Sequence, residues 1–532
     1  MFGLAITLLL GFFLRTIGLN WDQGMHLHPD ERMLIMVADR LHFFNNLDPD
    51  FFNYGSLPVY LLRAVAQIRQ HIFPSTLSLY DLMLPIGRAL SLVADMVIIF
   101  VIHKVSWKLF KSKQISYTAP LLYAISFFPI QNTHFFIVDT FLNLFLLLTI
   151  YALIRFLEHS SLFRNAMLAL CFAAALSTKI TAIIFLPFIA CLVLIHKRKN
   201  IFGGIIDLLS FSLFVLMFSF VMMPFAFLDW SKFIADVSSQ VRLASDPYVF
   251  PYTLQYVGTT AYFYYLKNIL LWGLGPVLSI LSVVGFVALI RRIPKTSYFL
   301  LLFLAFYCFY FVIIGRSSVK FMRYMLPLYP FLSILAAYGL EVIRKKIGLK
   351  IVVVLIAISF IWMLAFNSIY LKEHTRISAT NWILENIPQG STLAVEHWDD
   401  RLPIYRSELY AFEELQLYNQ PDDATKWNVI NNQLSRTDYL IIASNRLYAP
   451  LQKLNDCGKF RSCYPITSNF YNKLLSGKSS FKLIKEFVVE PELKISDKGF
   501  AFSDQTADES FTVYDHPKIL IFQNANKEKS GQ

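Results

Sequence analysis

The feature that most constrains this chain is a series of apolar runs, each about as long as the roughly 20 residues a helix needs to cross a bilayer. They lie at about 2–20, 84–103, 115–132, 137–156, 163–178, 180–196, 203–227, 269–290, 297–315, 324–342 and 350–370, so run length predicts eleven membrane spans. Composition points the same way. Of 532 residues, 56% are apolar and 16% charged, against about a quarter charged in soluble domains. The mean hydropathy is +0.51. A chain with so few charges cannot cover that much apolar surface, and an α-helical polytopic membrane protein is the expected class.

The net charge of +12 does not indicate a nucleic-acid partner. The basic residues cluster between apolar runs, and no zinc-finger spacing, RNA-binding signature or basic helix occurs. Lys104, Lys108, Lys111 and Lys113 follow the second run. Arg155 and Arg164 flank the next inner loop, and Lys197, Arg198 and Lys199 follow the sixth run. Arg291, Arg292 and Lys295 follow the eighth, and Arg344, Lys345, Lys346 and Lys350 the tenth. With eleven spans all five clusters share one side, which the positive-inside bias makes cytoplasmic. The N-terminus is then cytoplasmic and the C-terminal part outside. The first run lacks a basic leader, is interrupted by Arg15 and has no small-residue cleavage site after it. It reads as an uncleaved span rather than a signal peptide.

Two domains are expected: residues 1–370 in the membrane, with an outer loop at 21–83, and residues 371–532 as an extracytoplasmic α/β domain. In the outer loop, 30–44 and 57–72 repeat apolar residues at helical spacing and read as helices lying along the membrane surface. A second outer loop, 228–268, is rich in Tyr, which suits either a cover over a substrate or an interfacial belt. Beyond 371, "TRISATNWILENIP" and "DATKWNVINNQLSR" read as helices. "STLAVEHW", "DYLIIAS", "FKLIKEFVV", "FTVYD" and "KILIFQ" read as strands. "NANKEKSGQ" reads as a disordered tail. Cys171, Cys191 and Cys308 lie in apolar runs as small core residues. Cys457 and Cys463 can pair if their domain is outside.

Four places carry potential chemistry. "MHLHPDERM" sets Asp30 and Glu31 side by side beyond the first span. A transferase needs a carboxylate to take or orient the acceptor's proton, and Asp30 suits a base, with Glu31 positioning the acceptor. The same acids also suit the first turn of a helix begun by Pro29, and His28 suits a cap. Asp139 lies just inside a span near its outer end, where a carboxylate either faces a partner or reaches water. Lys179 sits at an outer turn, able to pair with Asp139, hold a phosphate or anchor the interface. Arg316, Lys320 and Arg323 meet the outer end of the tenth span, with Lys320 and Arg323 spaced to share a helix face. Cations there run against the inside bias, and a lipid phosphate would account for them, as would anionic headgroups in general.

In order along the chain, the "HPDE" motif, "FFNYGSLPVYLL" (51–62), Asp139, "STKITAIIFLP" (177–187), "RYMLPLYPFLSILAA" (323–337) and "NWILENIPQGSTLAVEHWDD" (381–400) resemble the GT-C glycosyltransferases. The likeness is to the protein O-mannosyltransferase family and its bacterial relatives, the lipid A aminoarabinose transferases. The resemblance implies a GT-C-type membrane domain and transfer of a sugar, with inversion, from a polyprenyl-phosphate carrier to an extracytoplasmic acceptor. It implies Asp30 as catalytic base with Glu31 the second acid, and Arg323, Lys320 and Lys179 at the donor phosphate. His28, Tyr54, Asp139 and Tyr324 are placed at the substrate. No metal and no cofactor are expected. The β-trefoil domain of fungal and animal members has no room here, which leaves a protein acceptor open beside lipid and glycan ones. The competing reading is a transporter or flippase of lipid-linked sugars, although the sequence has no internal repeat of the kind such proteins often carry.

Overall fold

The computed structural model describes residues 2–291, 298–495 and 498–528. They fall into two compact units, Met1–Arg242 with Thr260–Asn367, and Leu243–Thr259 with Ser368–Gln532.

The first unit is helical. It opens with α1 (Phe2–Thr16), α2 (Pro29–Arg40), α3 (Leu57–Ile72), α4 (Leu79–Phe110), α5 (Lys113–Ala124), α6 (Phe127–Thr133), α7 (Val138–Glu158) and α8 (Leu162–Leu176). Among the described residues five helices are long and apolar enough to cross a membrane: α4, α7, Ile201–Met222, Tyr298–Gly315 and the apolar part of Leu349–Asn386. The eleven expected runs include several that the backbone divides or shortens. The run over 115–132 breaks between α5 and α6, because the ring of Pro129 excludes the carbonyl of Ile125 from a continuous helix. The run over 269–290 starts as a π-helical turn, Ile269–Gly273, and restarts at Pro276. α1, α8 and Pro276–Ile290 have 15 residues each.

Charges inside this unit are paired. The Arg15 guanidinium meets Asp95 at 2.6 Å, Tyr123 donates to the same carboxylate at 2.5 Å, and Asn143 donates to the Tyr123 hydroxyl at 3.1 Å. Partnering of this kind is what apolar surroundings demand of ionisable groups. Pro276–Ile290 packs closely on Leu328–Ile347. Gly285 leaves room for the passing backbone of Leu335, and Ser282 donates to the Leu332 carbonyl at 2.8 Å, a small-residue contact typical of helices in lipid.

The second unit is a mixed sheet between helices. Its strands are β1 (Thr392–Glu396), β2 (Ala411–Leu415), β3 (Tyr439–Ile442), β4 (Phe481–Phe487) and β7 (Ile519–Asn524), in the order β2-β1-β3-β7-β4; β5 (Glu492–Ile495) and β6 (Lys498–Ala501) form a separate hairpin. β1 is parallel to β2 and β3, whereas β7 runs antiparallel to β3 and β4. Alternate strand residues feed two cores. Ala394, Leu440 and Phe522 join one, and Leu393, Ile441 and Ile521 the other. The expected strand "FTVYD" is not extended: its first two residues end the helical turn Glu509–Thr512, capped by Asp508, and the rest continue as a turn. β2 lies in a segment that alternation did not mark. Leu243–Thr259, read from sequence as part of a membrane loop, packs into this unit. Tyr418 donates to the Tyr248 carbonyl at 2.9 Å, Arg461 pairs with Asp246 at 2.7 Å, and Leu254 and Val257 enter the core. Cys457 and Cys463 are disulfide-bonded. Of the expected tail, Ala525–Glu528 is a helical turn; residues 529–532, like Arg292 and Lys295 of the basic loop, lie outside the described residues.

His516 gives this unit a pH dependence. Burial alone would push the imidazole down, but Asp504 at 2.8 Å and Asp515 at 2.5 Å, one on each ring nitrogen, outweigh it and hold the pKa at about 10. A histidine raised in the folded state stabilises fully below its ordinary value near 6.5 and loses that stabilisation as pH rises towards 10. The thermal stability of the second unit is therefore expected to fall from pH 7 to 10 in the native protein, and His516→Gln is expected to flatten the profile in that window.

Candidate active site

The start of α2 is built around one guanidinium. Asp22 accepts the backbone N–H groups of Gly24 and Leu27, which folds the loop after α1. Arg88 of α4 forks onto Asp22 with two bonds of 2.9 Å and onto Glu31 with bonds of 3.1 and 2.8 Å. Glu31 also accepts the Phe136 N–H at 2.8 Å. The Arg88 guanidinium lies 5.0 Å from the Trp21 ring. All three charged groups are at most 1% exposed. His28 caps α2, its Nδ1 accepting the Glu31 N–H at 3.3 Å while its ring lies 4.5 Å from that of Phe135.

Glu31 is thus buried against Arg88, and His28 takes the capping position that its place before Pro29 allows. Both fix the helix whose first turn carries Asp30. Sequence reasoning missed Arg88 and Asp22. The available signal was Arg88 itself, a cation within an apolar run, which calls for a partner.

Asp30 is half-buried and forms an ion pair with Arg323. Arg323 lies in the 3₁₀ turn Met322–Met325, its guanidinium 4.7 Å from the Phe321 ring. Its Nε lies 3.8 Å from Asp139, the second residue of α7. Asp139, almost fully buried, accepts from Lys179 at 2.8 Å. Four side chains thus alternate in sign: Asp30, Arg323, Asp139, Lys179.

Lys179 is delivered by a backbone junction. Gly55 N–H donates to Thr178 and Leu57 N–H to Ser177, each at 3.0 Å. A Cβ on Gly55 would overlap the Ser177 carbonyl. The junction brings Tyr54 beside the lysine, whose Nζ is 5.8 Å from the Tyr54 ring and 4.6 Å from that of Tyr324. Burial, then the Asp30 carboxylate, pushes the Tyr54 phenol well above its usual range. It stays a neutral hydroxyl able to donate. Tyr310 donates to the Tyr324 carbonyl and steadies the 3₁₀ turn.

Lys320 departs from expectation. The chain is not helical over 316–321, so Lys320 and Arg323 share no helix face. Lys320 is 4% exposed and donates to the Ser318 carbonyl at 3.0 Å. Arg316 is exposed. Among the described residues no three His, Cys, Asp or Glu side chains are grouped to hold a metal ion.

Sequence and fold comparisons bear on this arrangement. The family described as dolichyl-phosphate-mannose-protein mannosyltransferase matches residues 84–223, the stretch holding Arg88, Asp139 and Lys179. No curated protein sequence matches the chain. The archaeal oligosaccharyltransferase AglB from Archaeoglobus fulgidus, in complex with an inhibitory peptide and a dolichol-phosphate, is similar in fold. Its TM-score is 0.51 at 13% identity, covering 95% of this chain and 74% of AglB. ArnT from Cupriavidus metallidurans, bound to undecaprenyl phosphate, gives a TM-score of 0.50 at 13% identity, covering 85% of this chain and 94% of ArnT.

Proposed function

We propose, from the GT-C fold this multi-pass membrane protein has in common with those transferases, that it moves a sugar from a polyprenyl-phosphate carrier to an acceptor hydroxyl or amide outside the cytoplasm. The observation that carries the reading is the ion pair between Asp30 and Arg323, which stand 293 residues apart in sequence. One can serve as a base and the other as a phosphate ligand, and Arg323 also lies beside Asp139.

The donor phosphate binds Arg323 and Lys179, whose charge stabilises the leaving group as the sugar–phosphate bond breaks. Asp139 holds both cations in place. Asp30, released from Arg323 when the phosphate arrives, accepts the acceptor's proton as its oxygen or nitrogen attacks the anomeric carbon. The electron pair of the broken bond leaves on the phosphate, and the configuration inverts. Tyr54 and Tyr324 flank the lysine and are positioned to donate to the sugar or the phosphate. Asp22, Arg88, Glu31 and His28 fix the start of α2 and so act as positioning residues.

The test is incubation of purified protein with a panel of polyprenyl-phosphate sugars and candidate lipid, glycan and peptide acceptors, following release of polyprenyl phosphate. Lys179→Met is expected to lower kcat/KM by roughly 10²-fold, mainly through kcat. Movement of a lipid-linked sugar across vesicle membranes with no transfer product would overturn the reading in favour of a flippase.

A further inference from the structure

The second unit gathers aromatic rings at the carboxyl ends of its parallel strands. β1 lies between β2 and β3 and is parallel to both. The chain therefore leaves β1 towards one neighbour and later returns on its other side. At such a reversal the outgoing loops part, and open α/β sheets take ligands in the crevice between them. The loops here are 397–400 after β1 and 443–446 after β3.

Trp398 occupies the first loop with φ of +81°, a region bulky residues rarely adopt, and it is 41% exposed. Strain of this kind survives where the surroundings fix it, and it concentrates at ligand clamps. Here the fixing groups are explicit. Arg446 donates to the Trp398 carbonyl at 3.3 Å and pairs with Glu509 at 2.7 Å. Ser444 donates to Asp399, and Arg376 pairs with Asp399 at 3.2 Å and Asp400 at 3.1 Å. Around Trp398 stand Phe250 at 6.0 Å, Tyr418 at 6.3 Å and His397 at 5.6 Å, centroid to centroid, with Tyr252 stacked on Phe250 at 5.2 Å.

We propose that this crevice is a saccharide-binding site, with Trp398 as the ring on which a sugar lies and Asp400 and Arg446 at its hydroxyl rim. A pyranose offers an apolar C–H face and a belt of hydroxyls, which match an aromatic face and fixed planar charged groups respectively. The charged groups are already balanced against one another, so the site suits a neutral polyhydroxy ligand better than an ion. An extended peptide would want an unpaired strand edge, whereas β1 and β3 are both paired on two sides. The site is built from residues of the second unit alone, and its ligand does not depend on the reaction proposed at Asp30.

The experiment uses the full chain in lipid nanodiscs, because maltoside detergents would themselves compete. Saturation-transfer NMR is recorded with mannohexaose, chitohexaose and maltohexaose. At least one is expected to bind the wild type. Trp398→Gly, which tolerates the positive φ and removes only the ring, is expected to weaken that binding at least tenfold with an unchanged melting midpoint, and Phe250→Leu to weaken it less. Asp30→Asn is expected to leave it intact. Absence of transfer from all three sugars, full binding by Trp398→Gly, or displacement of the sugar by a neutral hexapeptide would overturn the proposal.

Discussion

Asp30→Asn is expected to lower turnover by roughly 10²–10⁴-fold, the range a positioned general base supplies, while donor binding is kept or tightened. The substitution preserves shape and removes both the proton acceptor and the negative charge that holds Arg323 in the resting site. With that charge gone, Arg323 keeps Asp139, 3.8 Å from its Nε, and a donor phosphate has one carboxylate fewer to displace. The expected signature is a split: kcat collapses, whereas the donor dissociation constant stays level or falls. Single-turnover release of polyprenyl phosphate and a direct donor titration measure the two parts. Turnover within a factor of two of the wild type would remove Asp30 from the chemistry.

Arg88→Met is expected to cost about 3–5 kcal/mol, the scale on which a buried pair is lost when one partner is removed. Asp22 and Glu31 are completely buried and share this one guanidinium. Without it, two carboxylates remain in a place that already pushes the Glu31 carboxyl up through burial. Arg88→Lys is expected to rescue little, because an ammonium cannot fork onto two carboxylates. The triple variant Arg88→Met, Asp22→Asn, Glu31→Gln removes all three charges together and is expected to recover much of the loss. Thermal unfolding of the solubilised protein is the measure. A single variant that melts like the wild type would show that the cluster holds nothing in place.

Sequence carried the helical class and several elements closely, because long apolar runs and helical spacing are local signals. α3 was read at 57–72 and found at Leu57–Ile72. Local reading failed where distant groups decide. Pro129 and Pro276 divide runs that hydropathy sees as continuous, and the Tyr-rich segment 243–259 joins a sheet whose strands lie more than a hundred residues later. In the site, residue type singled out Asp30, Asp139, Lys179 and Arg323, since charges beside apolar runs need a reason. It gave Asp30 and Glu31 separate roles but the same surroundings. Only the partner distinguishes them, Arg323 for one and a buried Arg88 for the other. The shared helix face expected of Lys320 and Arg323 is absent because three-residue spacing means a shared face only if the backbone is helical there.

The Arg15–Asp95 pair also bears on how the protein is made. The two residues are 80 positions apart, so α1 leaves the ribosome well before its counter-charge. A lone arginine costs about 2.5–3.5 kcal/mol at the centre of a span and less towards its end, where Arg15 stands in the last turn of α1. α1 is then expected to settle more firmly once α4 arrives beside it with Asp95, which would couple the entry of these two segments into the bilayer.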